Sequence, residues 1–247
     1  MTLNLLKLAA GTSLALMAVA CDERPVRPDA GKFDPLVSKP VTSETLKSEQ
    51  FRSWPASDRA AFLAGQVIAA DMLFRAGDAE AAAGQLAGLS QQAASAEDGE
   101  LRSLGFLPAR IDALSAALEL GRPEEEIAQR FADAEANLAD VMSASGALPQ
   151  DIVGFLMRQS AEAYDAGVRY GDVIDAGAYQ AAYGFAVTAR DLTSPLEEAV
   201  YGDLRLELDI LVLMWPAAGP LPDRIPPPEV RMAEQFARVK LALAKLP

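Results

Sequence analysis

Apolar positions recur at helical spacing through most of the chain, beginning near Ser57. Phe62, Leu63, Val67, Met72 and Leu73 fall on one side of a segment from about Asp58 to Arg75, with Ser57 in the N-cap place and Gly77 as its stop. Asp78 then caps a second helix from Ala79 to about Gln92, and Ser95 to Gly105 reads as a loop. A third helix runs from about Pro108 to Leu120 and stops at Gly121. Pro123 opens a fourth, with Glu124, Glu125 and Glu126 in the first turn where the helix dipole favours anions, and Gly146 ends it. A fifth spans about Pro149 to Tyr170, closed by Gly171; after the short connection Gly171–Ile174 a sixth runs from Asp175 to about Leu192. Ser194-Pro195-Leu196-Glu197 has the form of a capping box and launches a seventh helix to Trp215. Within it, Asp203 to Asp209 alternates like a strand, but the cap and the length of the segment favour helix. Pro216 to Pro228 holds six prolines and is a connector, and Glu229 to Leu246 forms a final helix with cations near its end.

These elements predict an all-α fold, an antiparallel helical bundle of about seven to eight helices arranged as paired αα-hairpins. Two units of the form helix–Gly–helix, centred on Gly77 and Gly121, lie 44 residues apart, too few repeats for a solenoid. Composition agrees: hydrophobic residues make up 51% of the chain and aromatics only 6%, with alanine abundant, which favours helix over sheet.

The first twenty residues follow a different pattern. A leader carrying the single charge Lys7 precedes an apolar stretch from Leu8 to Ala20, and Ala18-Val19-Ala20 then meets Cys21. These are the three parts of a secretory signal. The apolar run is shorter than the roughly 20 residues a mature spanning helix needs. The exit resembles the lipobox of bacterial lipoproteins, in which small residues precede a cysteine that receives a diacylglyceryl group, although Ala18 stands where leucine is usual. The resemblance implies that Cys21, the only cysteine in 247 residues, carries the lipid, palmitate included, that anchors the chain to a membrane. The alternative is ordinary cleavage that leaves Cys21 free. Each buried methylene contributes about 0.8 kcal/mol, so two or three acyl chains hold far better than one. Asp22 resembles the inner-membrane retention signal of enteric bacteria. The expected organisation is a signal peptide at 1–20, a proline-bearing tether at 21–42 and a helical domain at 43–247.

Loss of residues 1–20 removes Lys7 and leaves 21 basic residues against 35 acidic ones, a net charge of −14. Nucleic acid is excluded as a partner, because its binding rests on neutralising phosphates with Lys and Arg. Adhesion of the body itself to anionic lipid is disfavoured for the same reason. An unpaired cysteine gives no internal disulfide.

The chain has no histidine, which removes the commonest general base and the imidazole metal ligand. No phosphate-cradling glycine loop and no Gly-x-Ser-x-Gly elbow occurs. The remaining candidates are carboxylates: Asp133, Glu135 and Asp140 on the fourth helix, and Glu197, Glu198, Asp203 and Glu207 around the seventh. Asp203 and Glu207 share a helix face, yet on so acidic a chain the simpler reading is a solvated face. Tyr164, Tyr170, Tyr179, Tyr183 and Phe185 cluster around the fifth and sixth helices and read as core and helix-contact residues. No catalytic residue, metal ligand or cofactor site is assigned.

Tyr164, Val168, Gly171, Val173 and Asp175, followed by Ala178-Tyr179-Gln180-Ala181 and Tyr183-Gly184-Phe185, form a pattern. It is similar to one in helical periplasmic domains of bacterial iron-uptake proteins, both imelysin-like lipoproteins and the soluble domain of some iron permeases. Gly65, Leu73, Arg75-Ala76-Gly77-Asp78 and Ala81-Ala82 likewise resemble the first hairpin of such proteins. The resemblance implies a helical domain related to metal uptake. The departures fall on the ligands: both acidic positions of the Glu-Tyr-Gln-Asp motif are alanine, Ala178 and Ala181, and Gln66 and Gln85 stand where relatives carry histidine. The resulting expectation is a periplasm-facing, lipid-anchored, non-enzymatic binding or scaffolding component whose partner is an envelope protein met through an apolar groove. The alternative is a degenerate metal-uptake relative that binds an ion through carboxylates.

Overall fold

Glycines set most of the helix ends. In the computed structural model, which describes residues 49–95 and 99–247, Gly77 and Gly121 both take positive φ (85° and 58°) two residues past the last residue of a helix. The amide of Gly77 donates to Phe74 O and that of Asp78 to Leu73 O, at 2.9 Å each; Gly121 and Arg122 repeat the pair on Leu118 O and Ala117 O. This double bond satisfies carbonyls that a helix end otherwise leaves without partners and turns the chain back on itself. The result is α1 (Ala56–Arg75) with α2 (Ala79–Ser95), and α4 (Pro108–Glu119) with α5 (Glu124–Ala144). Between the pairs lies a short helix, α3 (Gly99–Ser103), where the sequence reads as loop. It is held to α1 by an ion pair between the buried Arg59 and the exposed Glu100. The chain continues as α6 (Pro149–Gly167), β1 (Val168–Arg169), β2 (Asp172–Val173), α7 (Ala176–Thr193), α8 (Glu198–Leu213) and α9 (Glu229–Leu243). The fold is all-α, as the pattern of apolar positions predicts. The predicted signal segment, Cys21, the whole of the tether and residues 43–48 of the expected helical domain lie outside the described residues.

Three boundaries differ from the sequence reading, each for a local reason. Helix α6 ends at Gly167 instead of Tyr170, because Tyr170 and Gly171 take positive φ (56° and 82°) and form the two-residue turn of a small antiparallel ribbon pairing Val168 with Val173. Two positive φ values suit the twist of a hairpin. Ser57 does not cap α1, which already begins at Ala56. Nor does Ser194 open a capping box. Its amide donates to Arg190 O at 3.1 Å as α7 closes, and α8 starts only after Glu197, which makes no side-chain cap. Arg205 from within α8 reaches back instead, donating to Thr193 O at 3.0 Å and Leu196 O at 2.7 Å. The strand-like run Asp203–Asp209 is helical, and its Leu204 and Leu208 are buried.

Helices α1 and α7 are the centre. α1 buries thirteen of its twenty residues and α7 twelve of its eighteen, so neither has a wet face in the usual sense. Their small side chains let them cross in contact. A Cβ on Gly184 would stand 2.1 Å from Gly65 O, and one on Gly65 would stand 2.3 Å from the Phe185 ring. α2 and α5 pack on α1, α4 packs against both α2 and α5, and α6 lies along α7; α8 and α9 complete that side. Phe51, Trp54, Phe62, Phe155 and Phe185 interlock through ring contacts of 5.0–5.9 Å where α1, α6 and α7 meet. Among the described residues no helix is long and apolar enough to cross a membrane.

Candidate functional site

Neighbouring elements of this core leave one side open. A helical stretch at residues 49–53 runs into Trp54, and between it, α1, α2 and the facing parts of α6 and α7 lies a cavity of about 480 Å³. Gln66 from α1 and Gln85 from α2 meet inside it, the amide nitrogen of Gln85 donating to the carbonyl oxygen of Gln66. Gln50 and Gln159 add two further amides, and Trp54 and Phe62 the aromatic surface. Glu162 and Asp175 complete the polar lining. Asp175 is the N-cap of α7, its Oδ1 accepting from the Ala178 amide at 3.0 Å, and Glu162 accepts from Gln159 Nε2 at 3.4 Å. Among the described residues, no lysine, arginine, serine, threonine, tyrosine or cysteine lines the cavity.

Of the residues singled out by resemblance, Gln66, Gln85, Asp175, Ala178 and Ala181 line this cavity, whereas Tyr164, Tyr179 and Tyr183 pack around Trp215. Gln66 and Gln85, at histidine-like positions, face Ala178 and Ala181, the two alanines in place of acids, across the same cavity. Gly65 and Gly184 form the helix crossing just beneath, and Gly167 makes a similar approach, since a Cβ there would stand 2.5 Å from the Tyr179 amide.

The carboxylates disperse. Asp133 takes a bond from Gln129 at 3.0 Å on an exposed face, and Asp140 is exposed. Glu197 is exposed, and Glu198 pairs with Arg205. Asp203 and Glu207 share a face of α8 but not a site: Asp203 is in water, whereas Glu207 Oε2 accepts from Gln235 Nε2 of α9 at 2.8 Å. Among the described residues no three carboxylates or thiols come together to hold a metal. Glu135 is different. Burial first, then the Asp71 carboxylate, raise its pKa to about 7, partly offset by Arg75. Asp71 is itself buried, with Oδ2 2.7 Å from Arg75 Nε and Oδ1 without a partner among the described residues.

Four of the five aromatic candidates are core. Tyr164, Tyr179 and Tyr183 surround the buried Trp215 at 5.5–6.5 Å, and burial pushes all three hydroxyls above their usual pKa. Tyr164 donates to Pro227 O and so pins the proline-rich connector. Phe185 belongs to the other ring cluster, and Tyr170 is exposed at the tip of the ribbon. An apolar contact surface also exists, since Leu206, Ile210 and Leu213 form an exposed stripe along α8. No family model, curated protein or solved structure matches the chain.

Proposed function

We propose that the chain is a lipid-anchored, periplasm-facing binding component of the bacterial envelope with no catalysis of its own. The observation that carries the binding role is the cavity beneath Trp54. Among the described residues it presents amides and aromatic rings, no serine, threonine, cysteine, lysine or tyrosine, and two carboxylates that each take a local hydrogen bond. Amides hold ligands well but do not exchange protons near neutral pH, so the lining suits recognition and not acid–base work. The anchor rests on Cys21 and the small-residue exit before it, and the exposed stripe on α8 suits contact with a neighbouring envelope protein. Replacing Cys21→Ala in cells is expected to shift the protein from the membrane pellet to the soluble fraction, and crosslinking of the native chain in membranes is expected to recover an envelope protein. Unchanged fractionation of the variant would overturn the anchor, and the absence of a specific crosslinked partner would overturn the contact role.

The second reading is metal binding in the manner of iron-uptake proteins. It is favoured by the convergence of Gln66, Gln85, Ala178 and Ala181 on one cavity, but those residues leave a hard cation without the anionic oxygens it requires. Calorimetric titration with iron, calcium and copper separates the two: saturable binding below about a millimolar would restore the metal reading.

A further inference from the structure

We propose that the cavity beneath Trp54 takes a neutral, hydroxyl-rich ligand of one or two sugar units. This rests on the reading of the chain as a binding component and names what it binds.

Charge excludes the first class of ligand. Among the described residues no lysine or arginine lines the cavity, two carboxylates do, and the whole chain is at −13. A phosphate or a uronic acid entering it would lose part of its water and find no basic side chain among the described residues to replace it. Cations fare little better. Glu162 and Asp175 are exposed, and a charge contact in water contributes about 0–1 kcal/mol. A caged cation also needs open ring faces, whereas Trp54 already packs against Phe51, Phe62 and Phe155 at 5.0–5.9 Å.

What the cavity offers in quantity is amides. Each carries two donor hydrogens and an acceptor oxygen, and the Gln66–Gln85 bond uses only one donor and one acceptor. Gln66 Nε2 and Gln85 Oε1 are left to face the cavity, with Gln50 and Gln159 beside them. A hydroxyl is likewise donor and acceptor at once, so adjacent hydroxyls on a ring match adjacent amides without any charge. The C–H face of the same ring adds apolar contact with the half-buried Trp54 and Phe62. At about 480 Å³ the space lies within the roughly 300–1,000 Å³ of small-molecule sites.

Gly84 gives a test that does not threaten the fold. It is an exposed position on α2 at the edge of the cavity, and a Cβ there meets nothing within 4 Å, so Gly84→Leu fills the mouth while improving helix propensity. Full-length protein in a polyoxyethylene detergent, which carries no sugar, is titrated with glucose, N-acetylglucosamine and maltose, with glucuronate and spermidine as charged controls. Tryptophan fluorescence and saturation-transfer NMR report binding. Saturable binding of at least one neutral sugar is expected, weakened about tenfold by Gln85→Leu and abolished by Gly84→Leu, with neither control bound comparably. Failure of all three neutral sugars to saturate overturns the proposal, as does neutral-sugar binding that survives Gly84→Leu in a folded protein. Binding of spermidine or glucuronate alone, lost in Gly84→Leu, overturns the ligand class while leaving the cavity as a binding site.

Discussion

Glu135 stands at the flank of the apolar stripe of α5, next to Ala134 and four residues after Phe131, both buried. Whether that flank is wet depends on what packs beside it, and here α1 does, bringing Asp71 and Arg75; Asp191 at the end of α7 adds a weaker repulsion. Glu135 titrates near 4.5 when unfolded and near 7 when folded, so the folded chain holds a proton across that interval. Its contribution to stability is complete below about pH 4.5 and is lost as pH rises through 7, a change of order 2 kcal/mol. Urea midpoints at pH 5 and pH 8 are expected to fall further for the native chain than for Glu135→Gln; equal falls would remove this account. In the sequence Glu135 is one of three candidate carboxylates on the fourth helix, all suited to a solvated face. What separates it from Asp133 and Asp140 is tertiary, supplied by residues 64 and 56 positions away. Asn137 is hidden for the same reason: its side chain accepts from the Leu107 amide and donates to Gly105 O, both at 2.9 Å, and no local pattern announces a clamp between α5 and the start of α4.

Elements are more legible than sites, because helix ends here are written in glycine and proline. Gly77, Gly121 and Gly146 mark stops correctly, and the apolar spacing between them gives the helices. The failures come where two local grammars compete. Tyr170-Gly171 can close a helix or turn a hairpin, and the second wins because Val168 is buried and draws the chain into an extended path. Ser194-x-x-Glu197 resembles a cap, but the Arg205 guanidinium takes the Thr193 and Leu196 carbonyls from two turns inside α8. The crossing of α1 and α7 is visible only in part: glycines at 65 and 184 show in the sequence, their contact does not. Gly184→Ala is expected to destabilise by roughly 1–3 kcal/mol, since the new methyl meets the Gly65 carbonyl and the Ala69 side chain inside a packed core. The same change at Gly84, where nothing lies within 4 Å, is expected to stabilise by about 0.5–1 kcal/mol. Denaturant unfolding of both variants gives the sign, and a neutral Gly184→Ala would mean that the helices do not touch there.

At the scale of the molecule the dominant fact is charge. Thirty-five acidic residues face twenty-two basic ones, and most resolved ion pairs join neighbours in the chain, such as Arg122 and Arg130 with Glu126. Such surface pairs between neighbours are screened by solvent and do not neutralise the surplus. The folded body therefore concentrates negative charge that the unfolded chain would spread out, and compaction works against self-repulsion. The range of that repulsion is set by salt, roughly 30 Å at 0.01 M and about 8 Å at 0.15 M. The first distance is comparable to the whole domain, the second to a contact between adjacent helices. Raising sodium chloride from 10 mM to 300 mM should thus screen the long-range part and leave hydrogen bonds and core packing untouched. For a chain of this length each 1 kcal/mol moves the melting temperature by about 2–4 °C, so a rise of a few degrees is expected. Potassium chloride must give the same rise, because the effect belongs to ionic strength and not to a particular ion. A melting temperature that is flat or falls with salt would mean that the acidic groups are locally compensated, and the electrostatic exclusion of anions from the cavity beneath Trp54 would lose its long-range support.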